Sequence, residues 1–129
     1  MKTQVTTVCD LEKELPPDAP DAPKWLVKAL QVPREEGFVE SQGCDVHYFR
    51  WGNPENPPLI LMHGFLAHAR CMAFIAPFLA ENYHVVAYDL TGMGDSGVRD
   101  AYPDSVRAQE VVDVAQKTGL FEHAQKPIV

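Results

Sequence analysis

Apolar residues in the middle of this chain come in short continuous runs. Pro58-Leu59-Ile60-Leu61-Met62 is one, and His84-Val85-Val86-Ala87-Tyr88-Asp89-Leu90 is another. Runs of this length predict strands buried on both faces, as in a parallel sheet. Upstream, Cys44–Trp51 is β-rich and roughly alternating. With the short strand Gly37–Glu40 and the turn Ser41-Gln42-Gly43, it predicts a hairpin. Gly52–Pro57 has the turn chemistry of a loop.

Helical spacing appears in three places. Lys24–Gln31 reads as a short amphipathic helix ending near Pro33. Arg70–Ala80 repeats Met72, Ile75 and Leu79 at three and four residues, against the local objection of Pro77. Asp104–Thr118 places Ala108, Val111, Val112 and Ala115 on one face, with Asp104 as N-cap and Gly119 at C′. Pro127-Ile128-Val129 reads as the opening of a further buried strand.

A hairpin followed by strand, helix, strand, helix and strand predicts an α/β sheet with crossover helices on both faces. The expected division is a disordered proline-rich tail over 1–23, a short helix and linker over 24–35, and an α/β domain over 36–129. The tail assignment rests on four prolines and two aspartates between Leu15 and Pro23.

Composition narrows the function classes. A formal charge of -7 over 129 residues disfavours phosphate backbones and anionic lipid surfaces, so neither nucleic acid nor membrane is expected as a partner. The cysteines, Cys9, Cys44 and Cys71, form no C-x-x-C pair and suggest neither a disulfide framework nor zinc. Scattered thiols, no apolar leader and no run near the roughly 18 residues of a membrane span point to the cytoplasm. The histidines His47, His63, His68, His84 and His123 have no ligand spacing, so no metal is expected.

In open α/β sheets, ligands gather at the carboxyl ends of the strands. Two loops lie there. In His63-Gly64-Phe65-Leu66, glycine permits a sharp turn that would leave backbone N–H groups facing a crevice, as donors to an oxyanion. A plain strand-to-helix turn with a structural histidine is the competing reading. The second loop, Asp89–Gly97, formally matches G-x-G-x-x-G at Gly92, Gly94 and Gly97. A nucleotide-binding module is therefore an alternative. Against it, residues 98–103 delay the helix, and Asp89 and Asp95 put carboxylates where phosphates would sit. Ser96 fails G-x-S-x-G because Val98 holds the last position, and it reads as a loop hydrogen-bonder.

Together, Leu59-Ile60-Leu61-Met62-His63-Gly64-Phe65 and Asp89-Leu90-Thr91-Gly92-Met93-Gly94-Asp95-Ser96-Gly97 resemble the α/β-hydrolase superfamily, over about Gly37 to Val129. The resemblance implies the N-terminal part of an α/β-hydrolase sheet, incomplete. It implies that the Phe65 backbone N–H, or less plausibly that of Leu66, is an oxyanion-hole donor, with His63 and Gly64 as the supporting turn. It implies attack on an ester, amide, epoxide or related bond of a small-molecule substrate, without a cofactor, by a nucleophile–acid–histidine triad. G-x-S-x-G and the later acid and base are absent from these residues, so the chain is expected to be inactive alone and to leave a buried strand as an open, aggregation-prone edge. A non-catalytic interaction protein is the remaining alternative.

Overall fold

A computed structural model of the chain describes residues 3–6, as backbone, and 21–129. Five strands form one sheet: β1 (Thr3–Thr6), β2 (Arg34–Ser41), β3 (Cys44–Trp51), β4 (Pro58–Met62) and β5 (His84–Tyr88). Their spatial order is β1-β2-β3-β5-β4. Pairing is antiparallel from β1 through β3 to β5 and parallel between β5 and β4. The antiparallel hairpin followed by parallel strands is the expected architecture. The hairpin turns through Gln42 and Gly43 with φ of 51° and 77°, the left-handed pair that suits strand twist.

Burial follows the pleat. Every residue of β5 is buried. Val86 and Tyr88 join Val39, Val46, Tyr48 and Ile60 in one cluster, and Val85 and Ala87 join Phe49 and Trp51 in another. Helix α3 (Asp104–Lys117) covers the first cluster through Val114 and Ala115. The second is covered by Ala69, Ala73 and Ala76, with Leu30 of α1 (Lys24–Leu30) and Leu79 of α2 (Ala76–Leu79) packed against it.

The structure corrects several details. The helix expected over Arg70–Ala80 is broken into a 3-10 turn, Ala69–Met72, and the four-residue α2. Pro77 lacks an N–H and is tolerated only in a helix's first turn, so α2 restarts there. Pro103, not Asp104, is the N-cap of α3, and Asp104 supplies first-turn negative charge instead. The buried face of α3 runs through Glu110, Val114 and Ala115, while Val112 and Ala108 are exposed. Strand β2 starts at Arg34, inside the expected linker, where its guanidinium stacks 4.2 Å over the Phe49 ring. Thr3–Thr6, placed in the tail, pairs with Arg34–Gly37. Residues 7–20, which hold most of the proline-rich stretch expected to be disordered, lie outside the described residues.

Gly119 takes φ 82° directly after the Thr118 C-cap, as expected of a C′ residue. Ile128 bridges β4 in parallel at Leu59, which places the last residues beside that strand. Among the described residues no helix is long and apolar enough to cross a membrane.

Candidate functional site

The carboxyl ends of β4 and β5 open into a cleft of about 580 Å³. Met62, Phe65, Leu66, Leu90, Met93 and Tyr102 line it, with Asp104 and Arg107 from the first turn of α3. The two loops singled out in the sequence border it, and they are built in opposite ways.

The first is a tight turn over Gly64–Ala67, closed by Ala67 N–H donating to the Gly64 carbonyl at 3.2 Å. Its left-handed residue is Leu66, at φ 59°. Sequence reasoning assigned the conformational freedom to Gly64, but that glycine is not at positive φ, and a Cβ there would meet nothing within 4 Å. A leucine in the left-handed region costs about 1–2 kcal/mol, and such strain concentrates at functional turns. Phe65 and Leu66 are 83% and 81% exposed. No hydrogen bond within the described residues takes up the Phe65 N–H.

His63 anchors this turn from below. It is buried; its Nδ1 donates to the Gly64 carbonyl at 2.8 Å, and its Nε2 accepts the Leu90 N–H at 3.0 Å. Backbone partners of opposite kind fix the neutral Nδ1–H tautomer. With both nitrogens used, His63 ties the β4 turn to the β5 loop and is not available as a base.

The second loop closes on itself. Gly92 N–H donates to Gly97 O at 2.7 Å, and Gly97 N–H to Asp45 O at 2.8 Å. At its centre lies the Asp89 carboxylate, 1% exposed, which accepts Ala69 N–H at 2.6 Å and Asp95 N–H at 3.0 Å. Gly94, at φ 54°, lies against it; a Cβ there would stand 2.3 Å from the Asp89 carboxyl carbon. The nucleotide-binding alternative fails on this geometry. The amides of Thr91, Gly92, Met93, Asp95, Ser96 and Gly97 are engaged, a protein carboxylate fills the nest, and α3 does not begin until Asp104. Ser96 bonds within the loop as expected, donating to Asp89 O at 2.6 Å and accepting His47 N–H at 2.8 Å.

Beneath Asp89 lies His47, 1% exposed, with Nδ1 2.8 Å from Asp89 Oδ2 and Nε2 2.7 Å from Glu36 Oε1. Burial alone would lower the His47 pKa, but hydrogen bonds and charge from Asp89 and Glu36 outweigh it and raise it above the usual 6.5. Burial would raise Asp89, and His47 with the two amides outweighs that and lowers it. Glu36, His47 and Asp95 offer ligand atoms within 4.8 Å of one another, but the Arg70 guanidinium sits among them, 2.7 Å from Asp95. They are joined as an ion network.

A further buried carboxylate, Glu110, holds the loop to α3. It accepts Thr91 Oγ1 and is 3.2 Å from both Arg99 and Arg107. Burial and this nearby charge push the Tyr88 hydroxyl above its usual range, keeping it neutral. Sequence reasoning missed Glu110 and the His47–Asp89 pair. The one available signal was a charged residue on the inward face of α3.

Comparison with known proteins bears on the family and the fold. Residues 59–129, more than half of the chain, match the model of the "Alpha/beta hydrolase family". The chain is 36% identical over 56 residues to a protein from Mycobacterium tuberculosis named "Probable oxidoreductase EphD", covering 43% of this chain and 10% of that protein. It is 44% identical over 48 residues to "Fluoroacetate dehalogenase" from a Burkholderia species, covering 37% and 16%. Among solved structures, a bacterial membrane phospholipase A superposes with a TM-score of 0.62 at 36% identity, covering 67% of this chain and 28% of that one. The match therefore spans a minor part of each relative.

Proposed function

The chain belongs to the alpha/beta hydrolase family, and we propose that its residues carry the oxyanion-binding side of a hydrolytic site. The Phe65 N–H is the donor, with His63 and Gly64 as the supporting turn. The observation that supports this is the Gly64–Ala67 turn: exposed, strained at Leu66, with that N–H unclaimed at the rim of a cleft at the strand ends. In acyl transfer a carbonyl oxygen gains negative charge as a nucleophile attacks. An N–H already aimed at that position lowers the barrier without reorganising.

The electrophile is an ester, amide, epoxide or related bond in a small molecule; relatives named as a dehalogenase and a phospholipase suit that breadth. The nucleophile, acid and histidine base act from outside these 129 residues, none of which forms G-x-S-x-G. No cofactor enters the reaction. The acidic charge and scattered thiols suit a cytoplasmic setting.

Two tests bear on this. Coding DNA past the Val129 codon is expected to read G-x-S-x-G or G-x-D-x-G within about ten codons; an in-frame stop there contradicts the proposal. In an active assembly containing these residues, Phe65→Pro deletes the donor at a turn position where proline's φ fits. Loss of about 10²–10³ in kcat is expected, and unchanged kcat contradicts it. The chain alone should not turn over an activated ester.

A further inference from the structure

We propose that Glu36, His47 and Asp89 form a proton-linked positioning relay, in which the charge on His47 sets how firmly the turn over the cleft is held; this rests on the assignment of Phe65 above. Three observations carry it. First, His47 has an acceptor at each ring nitrogen, Glu36 Oε1 at 2.7 Å and Asp89 Oδ2 at 2.8 Å. Neutral imidazole has one N–H, so only imidazolium satisfies both. Second, the ring is walled off from water by Phe38 at 5.2 Å and Phe49 at 4.8 Å between centroids, so solvent cannot replace a lost partner. Third, Asp89 ties together the segments behind the two loops that border the cleft, through Ala69 N–H two residues past the Gly64–Ala67 turn and Asp95 N–H in the glycine loop.

Charged groups around the relay, among the described residues, include the Asp95 carboxylate, within 4.8 Å of His47 and Glu36, Arg70, 2.7 Å from Asp95 and 3.9 Å from Glu36, and Arg34, which with Arg70 lies over the Phe49 ring. When His47 loses its proton to hydroxide, a lone pair faces a carboxylate at hydrogen-bonding distance. Glu36, whose side chain is 24% exposed, can swing toward water, whereas Asp89 cannot. Asp89 keeps its place with one compensating charge fewer. The strength of its hydrogen bonds to Ala69 and Asp95 therefore changes with the His47 charge, and with it the hold on the turn beside Ala69. His47 touches no substrate; it acts through Asp89.

The test is a pH titration of the ¹⁵N-labelled chain, following the His47 ring nitrogens and the Ala69, Asp95 and Leu66 amides. We expect both ring nitrogens protonated below the midpoint, and that midpoint above 6.5. The Ala69 and Asp95 amides should follow that midpoint, ahead of residues in the sheet. Glu36→Gln should lower it by about one pH unit, and His47→Gln should remove the pH response of Ala69. A ring that titrates at or below 6.5 overturns the proposal. So does an Ala69 amide that ignores the His47 midpoint, a midpoint unmoved in Glu36→Gln, or all amides shifting together as the whole chain unfolds. None of these readouts is turnover, so the relay and the oxyanion assignment can fail separately.

Discussion

Two loops leave the carboxyl ends of neighbouring parallel strands, and they solve opposite problems. The Asp89–Gly97 loop is wrapped around its own carboxylate, with its amides spent on Gly97, Asp45 and Asp89. The Gly64–Ala67 turn is exposed, strained at Leu66, and keeps the Phe65 N–H unspent. Satisfied polar groups stabilise a fold. A backbone N–H left to water adds little to the fold and stays available to a bound group, while the left-handed Leu66 beside it costs stability. The glycine-rich loop drew attention as a phosphate cradle, yet it is the scaffold. The plainer turn is the one that leaves the Phe65 N–H without a partner among the described residues.

The largest test of this contrast is Asp89→Ala. It strands the buried His47 charge and leaves the Ala69 and Asp95 amides without their acceptor, so urea denaturation should show a loss of about 3–5 kcal/mol. A loss below about 1 kcal/mol, the scale of an ordinary surface pair, would mean the loop is not the scaffold. Gly94→Ala should come next, because the new Cβ meets the Asp89 carboxyl at 2.3 Å from a positive φ; more than about 2 kcal/mol is expected in the same assay.

The pH profile probes the same scaffold. The His47 pKa is raised, so its contribution is complete below 6.5 and is lost as pH climbs through the higher folded value. The Asp89 pKa is lowered, so its contribution is complete above 3.8 and is lost as pH falls toward the lower folded value. Stability from this pair is therefore greatest between those limits. His84 works oppositely near 6.5, since burial and then Arg50 lower its pKa. The difference between the wild-type and His47→Gln profiles isolates the relay. Parallel profiles would remove it from the account.

On the turn, effects should be small and of the other sign. Leu66→Gly relieves the left-handed strain and should stabilise the chain by up to about 1 kcal/mol. Gly64→Ala should change thermal stability by no more than about 0.5 kcal/mol, since its Cβ finds open space.

Much of this was legible in the sequence. The strands at Leu59–Met62 and His84–Tyr88 are consecutive apolar runs; His84–Tyr88 is buried throughout as expected, whereas Leu59–Met62, last in the strand order, keeps Leu59 and Leu61 half-buried and Met62 exposed. The hairpin announced itself through Gln42-Gly43, and the end of α3 through Gly119. The broken helix at Pro77 was visible as an objection but not as a boundary, because Met72, Ile75 and Leu79 keep helical spacing across the break. The polar core was not legible. His47 and Asp89 are 42 positions apart, and Glu110 meets Arg99 only when the loop folds back on α3. Pairings of that kind have no period to read. At the candidate site, a turn was expected after His63 and one is found over Gly64–Ala67, but its strain lies on Leu66 where Gly64 seemed the natural bearer.

The most direct test is amide hydrogen exchange, residue by residue, corrected for intrinsic rates. Phe65 N–H should exchange nearly as fast as in an unfolded peptide, while the Ala69 and Asp95 amides, bonded to buried Asp89, should be protected by orders of magnitude. A Phe65 amide as protected as those two would mean that it is already paired, and the oxyanion assignment would then have no donor.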